Sequence, residues 1–185
     1  MAQSLRKILI ILIFSGLTYY SANSQQFTEY EVKAGYLYNF ARFVTWPVSV
    51  FADATTPIVI GIYGNPRSGE IIKATIRNNT IDGRPFVIKY YNKPNQIQQC
   101  HILFVTEITR SQVIELIKEI KGKPILTVGD NIPEFCQLGG IVNFTQQYST
   151  KRFEINHQVA IKSDLIISSK LLTLAQIVVS NEVEF

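Results

Sequence analysis

The sequence predicts one α/β domain: a central mixed, mostly parallel sheet of about six strands flanked by helices, with Rossmann-like layering. Three observations carry this. The runs 57–63 (PIVIGIY), 101–106 (HILFVT) and 124–129 (PILTVG) are short, apolar and rich in β-branched residues. Continuous apolar runs of that length mark strands buried on both faces, the signature of a parallel sheet. Between and around them lie segments with helical spacing of apolar residues, and this alternation of strand and helix builds a sheet covered on both sides.

The elements follow in order. Residues 28–44 form the first helix: Thr28 and Glu31 make a capping box, and Val32, Tyr36, Leu37, Phe40 and Val44 recur at helical spacing. Trp46-Pro47 ends it, because a residue before proline is pushed out of the α region. The strand at 57–63 turns through Gly64-Asn65-Pro66 into a helix at 68–76. A turn-rich stretch, 78–85, leads to a second strand at 86–91, and 101–106 is the third. A helix at 111–120 turns Val113, Ile114, Leu116, Ile117 and Ile120 inward and stops at Gly122, before the fourth strand at 124–129. A loop at 130–138 contains Cys136. Strands at 139–145 and 151–156, joined by the polar turn 146–150, form a hairpin and add an antiparallel strand. Helices at 158–163 and 169–178 close the chain.

The first 24 residues read differently. Arg6 and Lys7 precede an apolar run of about 13 residues, 8–20, followed by the small residues Ala22 and Ser24. That is the pattern of a cleaved secretory signal, too short for the roughly 20 residues that span a bilayer. The expected domain is therefore 25–185, exported from the cytoplasm. The net charge is +4, to which Arg6 and Lys7 contribute two, and the remaining basic residues are scattered. Nucleic acid is not an expected partner. An oxidising compartment allows Cys100 and Cys136 to form a disulfide; two buried free thiols are the alternative.

Motifs for chemistry are sparse. Gly61-x-x-Gly64-x-x-x-x-Gly69 follows a strand and opens a helix, but it is neither a dinucleotide fingerprint nor a Walker loop, and a tight βα turn explains it. Asp130 and Glu107 follow parallel strands, where open α/β sheets bind ligands; a turn or cap role is the plain reading of both. His101 and His157 are the only histidines, one opening an apolar strand and one in a surface turn. No ligand-spaced metal cluster and no nucleophile elbow is present, so no catalytic residue and no cofactor is expected. Arg152, Glu154 and Asn156 alternate with Phe153 and Ile155, which makes a polar ledge for a ligand or partner if that sheet face is open. Glu154 is expected to pair with a cation. The aromatic surplus of the first helix suggests a binding surface at Tyr38, Arg42 and Trp46.

Three stretches in a fixed order then carry a resemblance. Residues 30–47 (YEVKAGYLYNFARFVTWP), 139–144 (GGIVNF) with 152–156 (RFEIN), and 167–175 (ISSKLLTLA) resemble the signatures of the YfiR-like family of exported bacterial proteins. The resemblance implies a compact, often dimeric α/β domain that regulates without catalysis in the periplasm. The partners it implies are an inner-membrane sensor protein, either a diguanylate cyclase or a histidine kinase, and an outer-membrane lipoprotein that sequesters the regulator. A small-ligand binding module near Gly64, Glu107 and Asp130, or on the ledge, is the alternative function. The best-known member of that family has two disulfides; Cys100 and Cys136 look like one half of each, and the missing halves fall near Gly61 and Asn143. A bridge between Cys100 and Cys136 would be a new pairing.

Overall fold

The computed structural model describes residues 28–145 and 152–180. The expected signal peptide, 1–24, and the hairpin turn, 146–150, lie outside the described residues. Helix α1 (Glu29–Phe43) starts at Thr28, whose hydroxyl accepts from Glu31 N while the Glu31 carboxylate accepts from Thr28 N. It runs directly into β1 (Val44–Thr45). There follow β2 (Ile58–Gly64), α2 (Pro66–Ile76), β3 (Thr80–Ile81), β4 (Arg84–Tyr91), β5 (Ile102–Thr106), α3 (Arg110–Ile120) and β6 (Leu126–Asp130). The chain ends through β7 (Val142–Phe144), β8 (Phe153–Ile155), α4 (His157–Lys162), β9 (Ile166–Ile167), α5 (Ser169–Leu174) and β10 (Gln176–Ile177).

Eight strands form the main sheet in the order β10-β8-β7-β6-β5-β2-β4-β3. The five in the middle, β4 to β7, are mutually parallel. From β2 the chain moves outward to β4, then crosses back to β5 on the other side. That reversal is the flavodoxin-like strand order, and the crevice between the ends of β2 and β5 is its switch point. The expected hairpin is present: β8 runs antiparallel to β7, with Asn143 opposite Glu154.

The alternation of each strand divides the core in two. Ile60, Ile62, Ile102, Phe104 and Val128 face one cluster with Leu37, Phe40 and Ile72 of α1 and α2. Leu103 and Val105 face the other, with Val113, Leu116 and Phe135 of α3 and the loop after β6. Both sheet faces are thus covered, which is why the central strands read as unbroken apolar runs.

Two differences from the sequence expectation stand out. The sheet has eight strands rather than about six, and a separate ribbon pairs β1 with β9 antiparallel, Val44 with Ile167 and Thr45 with Ile166. The helix expected over 169–178 stops at Leu174; Ala175 turns extended, and Gln176 and Ile177 pair in parallel with Glu154 and Ile155. Val178 N then donates to the Ile155 carbonyl. The edge of β8 supplies partners that the helical pattern of the segment could not reveal. Among the described residues no helix is long and apolar enough to cross a membrane.

Candidate functional site

At the carboxyl ends of the parallel strands the backbone turns sharply. Gly64, Glu107 and Asn131 all have positive φ, and a Cβ on Gly64 would lie 1.8 Å from the Thr106 carbonyl oxygen. Only glycine admits that approach. Asn65 caps α2 by accepting from Arg67 N, and its amide donates to Glu107 Oε1 at 2.7 Å. The glycine pattern is therefore an ordinary βα turn with a carboxylate over the helix start, where an anion would be repelled.

Asp130 is neither a turn former nor a cap. It is buried at the end of β6, ion-paired with Lys33 of α1, and its Oδ2 accepts from Thr106 Oγ1 at 3.2 Å. Lys33 also pairs with Glu29, and its ammonium lies 5.2 Å from the Tyr30 ring centroid and 5.9 Å from that of Phe144. Burial pulls the Lys33 pKa down, but Asp130 and Glu29 outweigh it and hold the ammonium above its ordinary value. The acid best placed to serve the crevice is thus neutralised by the protein's own lysine. Among the described residues no group of three or more His, Cys, Asp or Glu is placed to hold a metal.

The first-helix surface survives in part. Arg42 is exposed, its guanidinium 6.0 Å from the centroid of the half-buried Tyr38 ring, which in turn packs on Phe86 of β4. Trp46 does not belong to that surface: it is 7% exposed, and its Nε1 donates to the His101 carbonyl at 3.2 Å. The chain after Phe43 leaves the helix as a strand, so the helical phase no longer applies and the indole turns into the core. Sequence reasoning missed Val48 and Ile166, which are 87% and 69% exposed. Val48 follows β1 and Ile166 lies in β9, in a ribbon whose pairing no local pattern announces.

The ledge also breaks. Arg152 is exposed and Glu154 half-buried, but Asn156 is fully buried. Its Oδ1 accepts from Val159 N to cap α4, while its Nδ2 donates to the Cys136 carbonyl and to Ser180 Oγ. Alternation ends one residue early because β8 gives way to a cap. Among the described residues Glu154 is held by an amide and not by the expected cation: Asn143 Nδ2 donates to its Oε1 at 3.1 Å. Both residues line an open depression of about 400 Å³ together with Ile132, Glu134 and Gln137. The Gln137 Oε1 atom is buried there without a hydrogen-bond partner.

The cysteines are not bridged. Cys100 and Cys136 are both buried and free, Cys100 Sγ lying 3.1 Å from the Ile102 carbonyl and Cys136 Sγ 3.5 Å from that of Ile141. Each thiol is occupied within its own loop or strand end. Burial pushes both thiol pKa values up, Cys100 to about 12, so neither is a reactive thiolate at neutral pH. The expected position of one missing partner is nevertheless apt: a Cβ on Gly61 would lie 2.8 Å from Cys100 Sγ.

No curated protein matches the chain. The family model described as YfiR/HmsC-like matches residues 30–176. That match takes in α1, the whole parallel sheet and the first residue of β10, and with it the three stretches that first suggested the resemblance: the chain belongs to the YfiR/HmsC-like family.

Proposed function

We propose that this protein is an exported periplasmic regulator that binds the sensor region of an inner-membrane protein, a diguanylate cyclase or a histidine kinase, and represses its output without catalysing a reaction. Membership of the YfiR/HmsC-like family is the observation that carries this reading. The neutralised switch-point acid and the buried, protonated thiols favour a binding role over chemistry. Repression follows from binding the inactive state of the sensor more tightly than the active one. The contact surface we assign is Tyr38 and Arg42 on α1, residue types enriched in binding hot spots, together with the exposed Val48 after β1 and Ile166 of β9. A homodimer and an outer-membrane lipoprotein that sequesters the regulator complete the proposal. Affinity capture of the exported protein from detergent-solubilised host membranes, read by mass spectrometry, tests it. Enrichment of a diguanylate cyclase or sensor kinase, lost on Arg42→Glu, is expected; retrieval of no membrane sensor refutes it.

A second reading rests on the depression over β7 and β8. Glu154 and the unpartnered Gln137 Oε1 offer acceptors to a small donor-rich ligand. A thermal-shift screen with amino acids, amines and nucleotides tests this reading, and a flat profile across the set counts against it.

A further inference from the structure

The segment between β1 and β2 crosses the amino-terminal end of the sheet and is fastened at His101. The His101 side chain is 4% exposed. Its ring stacks on Phe51 (centroids 4.7 Å apart, planes 13°) and meets Trp46 edge to face at 6.2 Å. The Arg84 guanidinium lies 4.1 Å from the Phe51 centroid, so the same ring contacts both the imidazole and a cation. Arg84 Nη1 also donates to the carbonyls of Asp53 and Thr56, at 2.7 and 2.9 Å.

The protonation state of His101 is set by one hydrogen bond. Val59 N donates to Nδ1 at 3.0 Å, so Nδ1 carries a lone pair and the proton of the neutral ring sits on Nε2. Nε2 is buried without a hydrogen-bond partner. A second proton could only go to Nδ1, where it would face the Val59 N–H donor. It would also place a second cation on the Phe51 ring that Arg84 already contacts. The charged groups facing His101 are cationic, Arg84 and Lys89 of β4. From the crossing segment the acid is Asp53, whose carboxylate is taken up by Thr55 and Thr56. Val59 of β2 and Leu126 of β6 bring no charge.

We propose that His101 is a pH-sensitive latch: neutral, it clamps residues 46–56 to the sheet, and protonation breaks the Val59 bond and releases that segment while the rest of the fold persists. The device needs no partner, so it stands or falls independently of the proposed function. Burial lowers the His101 pKa most strongly; the Val50 carbonyl opposes it, and Arg84 and Lys89 lower it further, so the net shift is downward. The clamp is therefore complete above the ordinary value of 6.5 and is lost as pH falls through the lower folded value.

Trp46 is the only tryptophan in the chain and lies buried against His101 within the latched segment, so its emission reports the release. In the purified protein, acidification below pH 6.5 should shift Trp46 emission to the red in a one-proton transition as the indole meets solvent, with far-UV circular dichroism unchanged. Hydrogen exchange of residues 46–56, corrected for its intrinsic pH dependence, should accelerate by about tenfold per pH unit across that transition. His101→Asn keeps an acceptor at the Nδ1 position and cannot titrate; it should abolish both responses, whereas His157→Gln should keep them. A flat wild-type profile, or an unchanged response in His101→Asn, overturns the proposal. Should His101→Asn not fold, ¹⁵N NMR of the wild-type imidazole decides: a bare Nδ1 at pH 7.5 that becomes protonated on acidification supports the latch, and Nδ1–H at pH 7.5 overturns it.

Discussion

Lys33 of α1 and Asp130 at the end of β6 form a buried ion pair across a sequence separation of 97 residues. The pair ties the first helix to the switch-point end of the sheet and occupies a strand-end position of the kind where open α/β sheets bind ligands. Loss of Asp130 leaves Lys33 to the exposed Glu29, whereas loss of Lys33 leaves the Asp130 carboxylate without its cation. Lys33→Met should destabilise the protein by about 3–5 kcal/mol, and adding Asp130→Leu should recover most of that loss. Urea denaturation at pH 7 measures both. Because the folded pKa of Lys33 is raised, its contribution is complete below the ordinary lysine value of 10.5 and is lost as pH climbs through the folded value.

The surface residues and the buried tryptophan should part company. Arg42→Glu and Val48→Asp should leave stability within about 0.5 kcal/mol of the parent, since neither side chain is buried. Both should weaken capture of the membrane partner. Trp46→Ala should instead cost about 3–5 kcal/mol, because it empties a core position and frees the His101 carbonyl of one of its donors. Equal effects of all three on stability would contradict the division between surface and core.

Native thiols should not react with a disulfide reagent at neutral pH, and both should react once the chain is unfolded. Burial and protonation act together here. Gly61→Cys should form a bridge to Cys100 under mild oxidation, given the 2.8 Å separation of its Cβ from the sulfur. Tyr91 must shift to admit it, since the same Cβ would lie 2.6 Å from that ring. A mass loss of two hydrogens with a single remaining thiol, Cys136, is the expected readout.

Asn156→Ala removes the cap of α4 and two further side-chain hydrogen bonds. A loss of about 1–3 kcal/mol is expected, larger than for a solvent-exposed cap, because the Cys136 carbonyl loses its amide donor in the interior. Arg152→Ala, on an exposed side chain immediately before β8, should change stability by no more than about 0.5 kcal/mol. Thermal denaturation of the two variants side by side checks whether the predicted ledge is divided as described.

What the sequence determined by itself was the local and periodic part of this molecule. The unbroken apolar runs identify β2, β5 and β6 as strands buried on both faces, and the capping box at Thr28 marks the start of α1. The order of three signature stretches sufficed to place the chain in its family. Only the tertiary structure decided which polar side chains face solvent. Asn156 and Asp130 read as surface groups, yet a cap and an ion pair let each be buried with its hydrogen bonds satisfied. Trp46 reads as part of a helix surface, yet the turn into β1 sends it inward. The two-residue strands β1, β9 and β10 have too few residues to show a period, and they exist because a neighbouring edge supplies their hydrogen bonds. Periodicity reports the average environment of an element; the partner of a single side chain depends on residues a hundred positions away, and that is settled only when the sheet is assembled.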